Sequence, residues 1–165
     1  MKKLDGIRTA VSYDFSGKWN EEDRRNAVCP HIDYAFLSCG GLEMDKVREA
    51  CDHMLQAGAC AAIATMGVKG ALYMDAAGEV VQPPEWVEPV DTLGAGDSFA
   101  AALLTALVPV GKPPKAGVER ELLRQALSNA AHFAAQCCLK KGAFGHGCDI
   151  SAERVEQAMA GVIRL

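Results

Sequence analysis

Two spacings of apolar residues run along this chain and divide it into helices and strands. Met44, Val47, Ala50, Cys51, Met54 and Leu55 recur at helical spacing, and Gly58 is placed to close that helix. Leu122, Leu123, Ala126, Leu127, Ala130, Phe133, Ala134 and Cys137 form a longer stripe, ended by Lys140, Lys141 and Gly142. Phe99, Leu103, Leu104 and Leu107 predict a further helix from about Asp97 to Leu107. The charged run from Asn20 to Ala27 predicts a short one, and Ser151 is placed to cap a last one carrying Val155 and Met159. Between these, Ile7 to Tyr13 reads as a strand with Asp14 at its carboxyl end, and Tyr34 to Leu37 as another. Ala59 to Thr65 is continuously apolar, the pattern of a strand buried on both faces. Ala71 to Met74 and Glu79 to Gln82 flank a turn at 75–78, which predicts a hairpin. Pro83, Pro84 and Pro89 make the next stretch a surface loop, and the prolines and glycines of 108–117 mark a connection.

Strands alternating with helices predict an α/β fold: a mostly parallel sheet covered on both faces, three layers in one domain over 1–165. Ligands of such sheets bind outside the carboxyl ends of the strands. Asp14, Ser38, Thr65 and the turn at 94–97 all fall at such ends, so they are expected to converge on one cleft.

Composition narrows the function. With 165 residues, half of them hydrophobic and 23% charged, the chain can bury a core. A net charge of -4 argues against a broad nucleic-acid footprint. No stretch reaches the ~20 apolar residues of a membrane span, and Met1-Lys2-Lys3 is followed by Leu4 and Asp5 rather than by a signal-peptide core. The seven cysteines include no CxxC pair, and His31, His53, His132 and His146 show no metal spacing. Cys51, Cys60 and Cys137 have apolar neighbours and read as core thiols of a reduced, cytoplasmic protein.

The chemistry concentrates in Asp91-Thr92-Leu93-Gly94-Ala95-Gly96-Asp97-Ser98-Phe99. Small residues before a helix leave the N–H groups of Gly94, Ala95 and Gly96 bare at the positive end of a helix dipole, a setting that binds anions. Asp97 puts a carboxylate at the same turn. An anion cradle beside a general base is what phosphoryl transfer to a hydroxyl needs. The same residues also read as an ordinary helix N-cap, with Asp97 as the capping residue.

The wider string resembles the second signature of the ribokinase-like carbohydrate kinases, the phosphofructokinase B family. Thr65-Met66-Gly67-Val68-Lys69-Gly70-Ala71 is similar to that family's T-x-G-x-x-G segment, and Asn129-Ala130-Ala131 and Lys141-Gly142-Ala143 to the helix and turn beside its adenine pocket. Asp14-Phe15-Ser16-Gly17-Lys18-Trp19 and Pro30-His31-Ile32-Asp33-Tyr34-Ala35-Phe36 look most like the fructosamine (fructoselysine) 6-kinase branch. The resemblance implies a ribokinase-like core, a kinase using ATP and magnesium, and a sugar or fructosamine substrate. It assigns Asp97 as general base, with Gly94, Ala95 and Gly96 stabilising the transferred group. It places Thr65, Gly67, Gly70 and Asn129 at the nucleotide and Lys18 beside the transferred phosphate. It also puts a potassium-type cation on the backbone carbonyls of Asp91 and Leu93.

Two departures stand out. The family's N-x-x-E segment, which organises magnesium, aligns with Ser38-Cys39-Gly40-Gly41-Leu42-Glu43; only Glu43, two residues further on, is left to substitute. The likeness runs from near Asp5 to near Gly147 and covers only the C-terminal part of such a kinase, without its N-terminal sugar-binding portion and lid. An exposed strand edge and apolar helix face, and with them self-association, are therefore expected. The alternative to a kinase is a catalytically incomplete nucleotide-binding or assembly module.

Overall fold

The computed structural model describes residues 9–108 and 117–146. The elements follow in the order β1 (Ser12–Asp14), α1 (Glu22–Val28), β2 (Tyr34–Ser38), α2 (Met44–Gln56), β3 (Ala61–Thr65), β4 (Ala71–Asp75), β5 (Gly78–Gln82), α3 (Ala95–Leu107) and α4 (Arg120–Cys138). The strands lie side by side in sequence order. β1, β2 and β3 are mutually parallel; β4 runs antiparallel to β3, and β5 antiparallel to β4. Four of the five strands therefore point the same way. β4 is the exception, because the tight β4–β5 turn and the single turn Gly67–Lys69 before β4 leave no room for a crossover helix.

The pleat sorts the sheet's side chains into two cores. Ala35, Leu37, Ala62, Ala64, Leu72 and Met74 face one way, onto Val47, Ala50, Cys51 and Met54 of α2. Tyr34, Phe36, Ala61, Ile63, Ala71 and Tyr73 face the other, onto α3 and α4. The result is the expected three-layer α/β/α arrangement. Burial pushes the thiols of Cys29 and Cys39 up to about 11 and that of Cys51 up to about 12, so they stay protonated packing groups. Cys60 departs from its expected core position: it is half-buried, with Sγ 3.9 Å from Asp33 Oδ1.

Boundaries shift from those the sequence predicts. Of the strand expected over 7–13, residues 7 and 8 lie outside the described residues; β1 spans Ser12–Asp14 and starts opposite Tyr34. α4 starts at Arg120 because the Glu119 carboxylate accepts the N–H groups of Glu121 and Leu122. Asp75 is buried under the β4–β5 turn. It accepts from Val118 N and Ala77 N and pairs with Arg120, so the start of α4 is fastened to the sheet. The helix expected from Ser151, with Cys148 and most of the 108–117 connection, lies outside the described residues.

Candidate functional site

The bend before α3 is built by glycine. Gly94 has φ +82 and is the N-cap of α3 without a side-chain cap bond. A Cβ there would lie 3.2 Å from Ala143 Cβ, so the bend packs directly on the turn that follows α4. α3 begins at Ala95, two residues before the expected start, and Asp97 sits inside its first turn rather than at the cap. The N-cap role therefore belongs to Gly94, and Asp97 makes no capping bond. The Ala95 N–H, expected bare, donates to Thr92 O at 3.2 Å, which tightens the bend. Among the described residues no protein acceptor meets the N–H groups of Gly94, Gly96 or Asp97. Gly96 and the Asp97 carboxylate are both exposed.

Asp91 holds this bend to the far turn. Its Oδ1 accepts the Leu93 N–H at 3.0 Å and its Oδ2 the Gly142 N–H at 2.9 Å. These N–H groups, Leu93 first and Gly142 next, hold its carboxyl below the usual carboxylate range. The N–H groups of Val90 and Asp91 both donate to Cys138 O. Two stretches singled out separately in the sequence, 91–97 and 141–143, are thus one local structure. The side chain of Asp91, for which the sequence reading had no role, is what joins them. Its signal was present: an Asp two residues before a turn N–H is a local Asx pattern. The Leu93 carbonyl already faces the Cys137 thiol, at 3.6 Å, so it offers a cation one weakly engaged oxygen.

Because Gly94 abuts Ala143, α3 and α4 run antiparallel, and a groove of about 720 Å³ lies along them. Its floor is small and apolar, including Ala101, Ala102 and Ala106, with Phe133 and Phe144 along it. Asn129, His132, Gln136 and Lys140 supply its polar groups. Asn129 is exposed, not inward: Ala126, Leu127 and Ala130 take the buried face of α4, and Asn129 is one helical step off it. It lies eight residues before Cys137, about 12 Å along the helix from the bend. His132 is exposed and its Nδ1 meets Glu85 at 2.9 Å, so it serves the surface loop after β5.

The remaining residues gather at the carboxyl ends of the parallel strands. Ser38 pairs with Thr65, and Asp14 pairs with Phe36 two residues upstream. Thr65 Oγ1 donates to Leu37 O, and Trp19 Nε1 to Ser38 O. Lys18 is exposed on the single turn after β1. Gly70 was expected to admit a ligand, but its close neighbour is the chain itself. A Cβ there would lie 2.1 Å from Gln82 O. At Gly67, also at positive φ, a Cβ would meet nothing within 4 Å. Glu43, considered for magnesium, is bonded to Lys69 Nζ at 3.2 Å. Among the described residues no group of three acids, histidines or cysteines could hold a metal ion. No helix among them is long and apolar enough to cross a membrane.

The model of the pfkB family carbohydrate kinases matches residues 27–145, most of the chain and all of the bend and groove just described, with Asp14 and Lys18 lying ahead of the match. This chain belongs to that family. It is 37% identical over 139 residues to the fructosamine kinase FrlD of Bacillus subtilis, an alignment covering 83% of this chain and 44% of that protein. It is 39% identical over 102 residues to fructoselysine 6-kinase of Escherichia coli, covering 62% and 38%. The chain thus spans less than half the length of these curated relatives. Among solved structures, ribokinase of Thermotoga maritima superposes with a TM-score of 0.65 at 21% identity, over 96% of this chain and 52% of that one. Aminoimidazole riboside kinase of Salmonella enterica, solved with aminoimidazole riboside and an ATP analogue, gives 0.60 at 26% identity, over 74% and 41%. The family's ribokinase-like fold is therefore present here as a partial sheet with both helical layers.

Proposed function

We propose that this chain carries the nucleotide-binding, base-bearing part of an ATP-dependent carbohydrate kinase acting on a sugar hydroxyl. The bend at 94–97 supports this most: three N–H groups without protein acceptors and an exposed carboxylate without a partner occupy one helix start. Asp97 takes the proton from the attacking hydroxyl, a step worth about 10²–10⁴-fold. The Gly94 and Gly96 N–H groups donate to the transferred phosphoryl oxygens, with the dipole of α3 aligned behind them. Ala95 acts through the bond to Thr92 that shapes the bend rather than as a donor. Asn129 is the contact for the adenine at the far end of the groove, and Lys18, Thr65 and Gly67 border the phosphates. Magnesium fits as an ion carried in by the nucleotide, since phosphate oxygens supply most of its ligands. The names of the two curated relatives favour a fructosamine, phosphorylated on a primary hydroxyl, as substrate class.

A second reading, a nucleotide-binding or assembly module without turnover, is favoured by one fact: the chain spans 44% of the fructosamine kinase it resembles. ADP release in the presence of ATP, magnesium and fructoselysine or common ketoses separates the two. The kinase reading predicts turnover that Asp97→Asn lowers about 10²–10⁴-fold. Undiminished turnover by Asp97→Asn removes the assigned base. Calorimetric binding of ATP with no turnover on any sugar establishes the module instead.

A further inference from the structure

The polar groups that α4 gives to the groove lie on one stripe. Asn129, His132, Gln136 and Lys140 follow one another at steps of three and four residues, and all four line the groove. His132 is held from outside it. Both carboxylate oxygens of Glu85 lie 2.9 Å from His132 Nδ1, and Glu85 belongs to the loop after β5 rather than to the groove lining. The two side chains are 55% and 41% exposed, so the pair contributes orientation more than stability.

A carboxylate only accepts. Glu85 therefore requires a proton on Nδ1, and in the neutral imidazole that makes Nε2 a lone-pair acceptor. Among the described residues no protein donor meets Nε2. With Nδ1 turned to the loop, Nε2 is the nitrogen left for the groove. Asn129 lies three residues away, about 4.5 Å along the helix. The groove thus sets an amide and a bare nitrogen acceptor side by side. Adenine answers both: an Asn amide engages its exocyclic amine and N7 together, and the amine keeps a second N–H for Nε2. Guanine carries a carbonyl oxygen where adenine carries that amine, so lone pair would face lone pair. Such an arrangement rejects the wrong base as well as holding the right one.

We propose that His132, kept in its Nδ1–H form by Glu85, selects an adenine base over a guanine in this groove, with Glu85 as the positioning residue. The inference rests on the reading of the groove as the nucleotide's and names what chooses the base there.

The test is the ratio of GTP to ATP dissociation constants, measured by calorimetry with magnesium at about pH 8, where an imidazole is neutral. The unchanged chain is expected to favour ATP by about 10-fold or more. His132→Phe keeps a ring and removes most of that preference. Glu85→Lys puts a donor where the acceptor stood, moves the imidazole proton to Nε2 and removes the preference too, without itself touching the base. Glu88→Lys makes the same charge change at an exposed position three residues along the loop and leaves the ratio as it was. Imidazole nitrogen resonances of the histidine-labelled chain, assigned by their loss in His132→Phe, report a protonated Nδ1 in the unchanged chain. Binding of neither nucleotide removes the nucleotide reading and this inference with it. ATP binding whose preference over GTP survives His132→Phe overturns this inference alone, as does an Nε2–H imidazole in the unchanged chain or an equal loss of preference in Glu88→Lys.

Discussion

Single residues in this chain do their work through contacts that spacing alone does not show. Gly70 is the clearest case. It stands at φ +88 with Gln82 O occupying the place of a Cβ, so the glycine lets the β5 exit cross over the β4 entrance. Gly70→Ala is expected to cost about 1–3 kcal/mol from backbone strain alone, with the steric overlap added to that. A urea midpoint equal to that of the unchanged chain would contradict the contact. Gly67→Ala meets no atom within 4 Å and bears only the strain of its positive φ, so it should be the milder of the two. Asp75 and Arg120 form the other decisive contact. The carboxylate side chain is 2% exposed, and Arg120 is its cationic partner. Arg120→Ala leaves a buried charge uncompensated and is expected to cost about 3–5 kcal/mol, read from equilibrium denaturation. Asp97 lies at the opposite extreme: exposed and unpartnered, it should be replaceable by Asn with little change in stability.

At the scale of elements, the site is a junction of two helix ends. The N-terminal end of α3 and the turn after α4 meet at Gly94 and Ala143, and Asp91 ties them. Because the Asp91 carboxyl is held below its ordinary value, its contribution is present above that value and lost as pH falls through the folded one. The tie should therefore be constant through neutral pH and loosen only in acid, below the ordinary aspartate range. The Gly142 amide proton resonance, followed through an acid titration, reports it; a shift centred near neutrality would contradict the assignment. Asp91→Ala should abolish that acid transition and speed exchange of the Gly142 amide. The helices themselves depend on different devices. α4 is capped by the Glu119 carboxylate, while α3 begins at a bare glycine. α1 and α2 also start without a side-chain cap bond, so what sets α3 apart is the glycine at its start.

At the scale of the whole molecule, the layers were legible in the sequence because their causes are local. The 3.6-residue stripe of α2 and the continuous apolar run of β3 each carry their burial in their own spacing. The site was legible in part, since the 91–99 string and the 141–143 turn both stand out as residues. What spacing could not show were pairings across long separations. Asp91 with Gly142, Gly70 with Gln82 and Asp75 with Arg120 are joined only by the fold. Asn129, outside the apolar stripe of α4 in the sequence, is exposed in the structure. The central claim, that the bend at 94–97 is an anion cradle beside a base, is tested most directly by titrating the amide-labelled chain with ATP and magnesium. The account predicts saturable shifts largest at the Gly96 and Asp97 amides, retained in Asp97→Asn while turnover is lost. Saturable binding that leaves those two amides unmoved, with the largest shifts elsewhere, would contradict it.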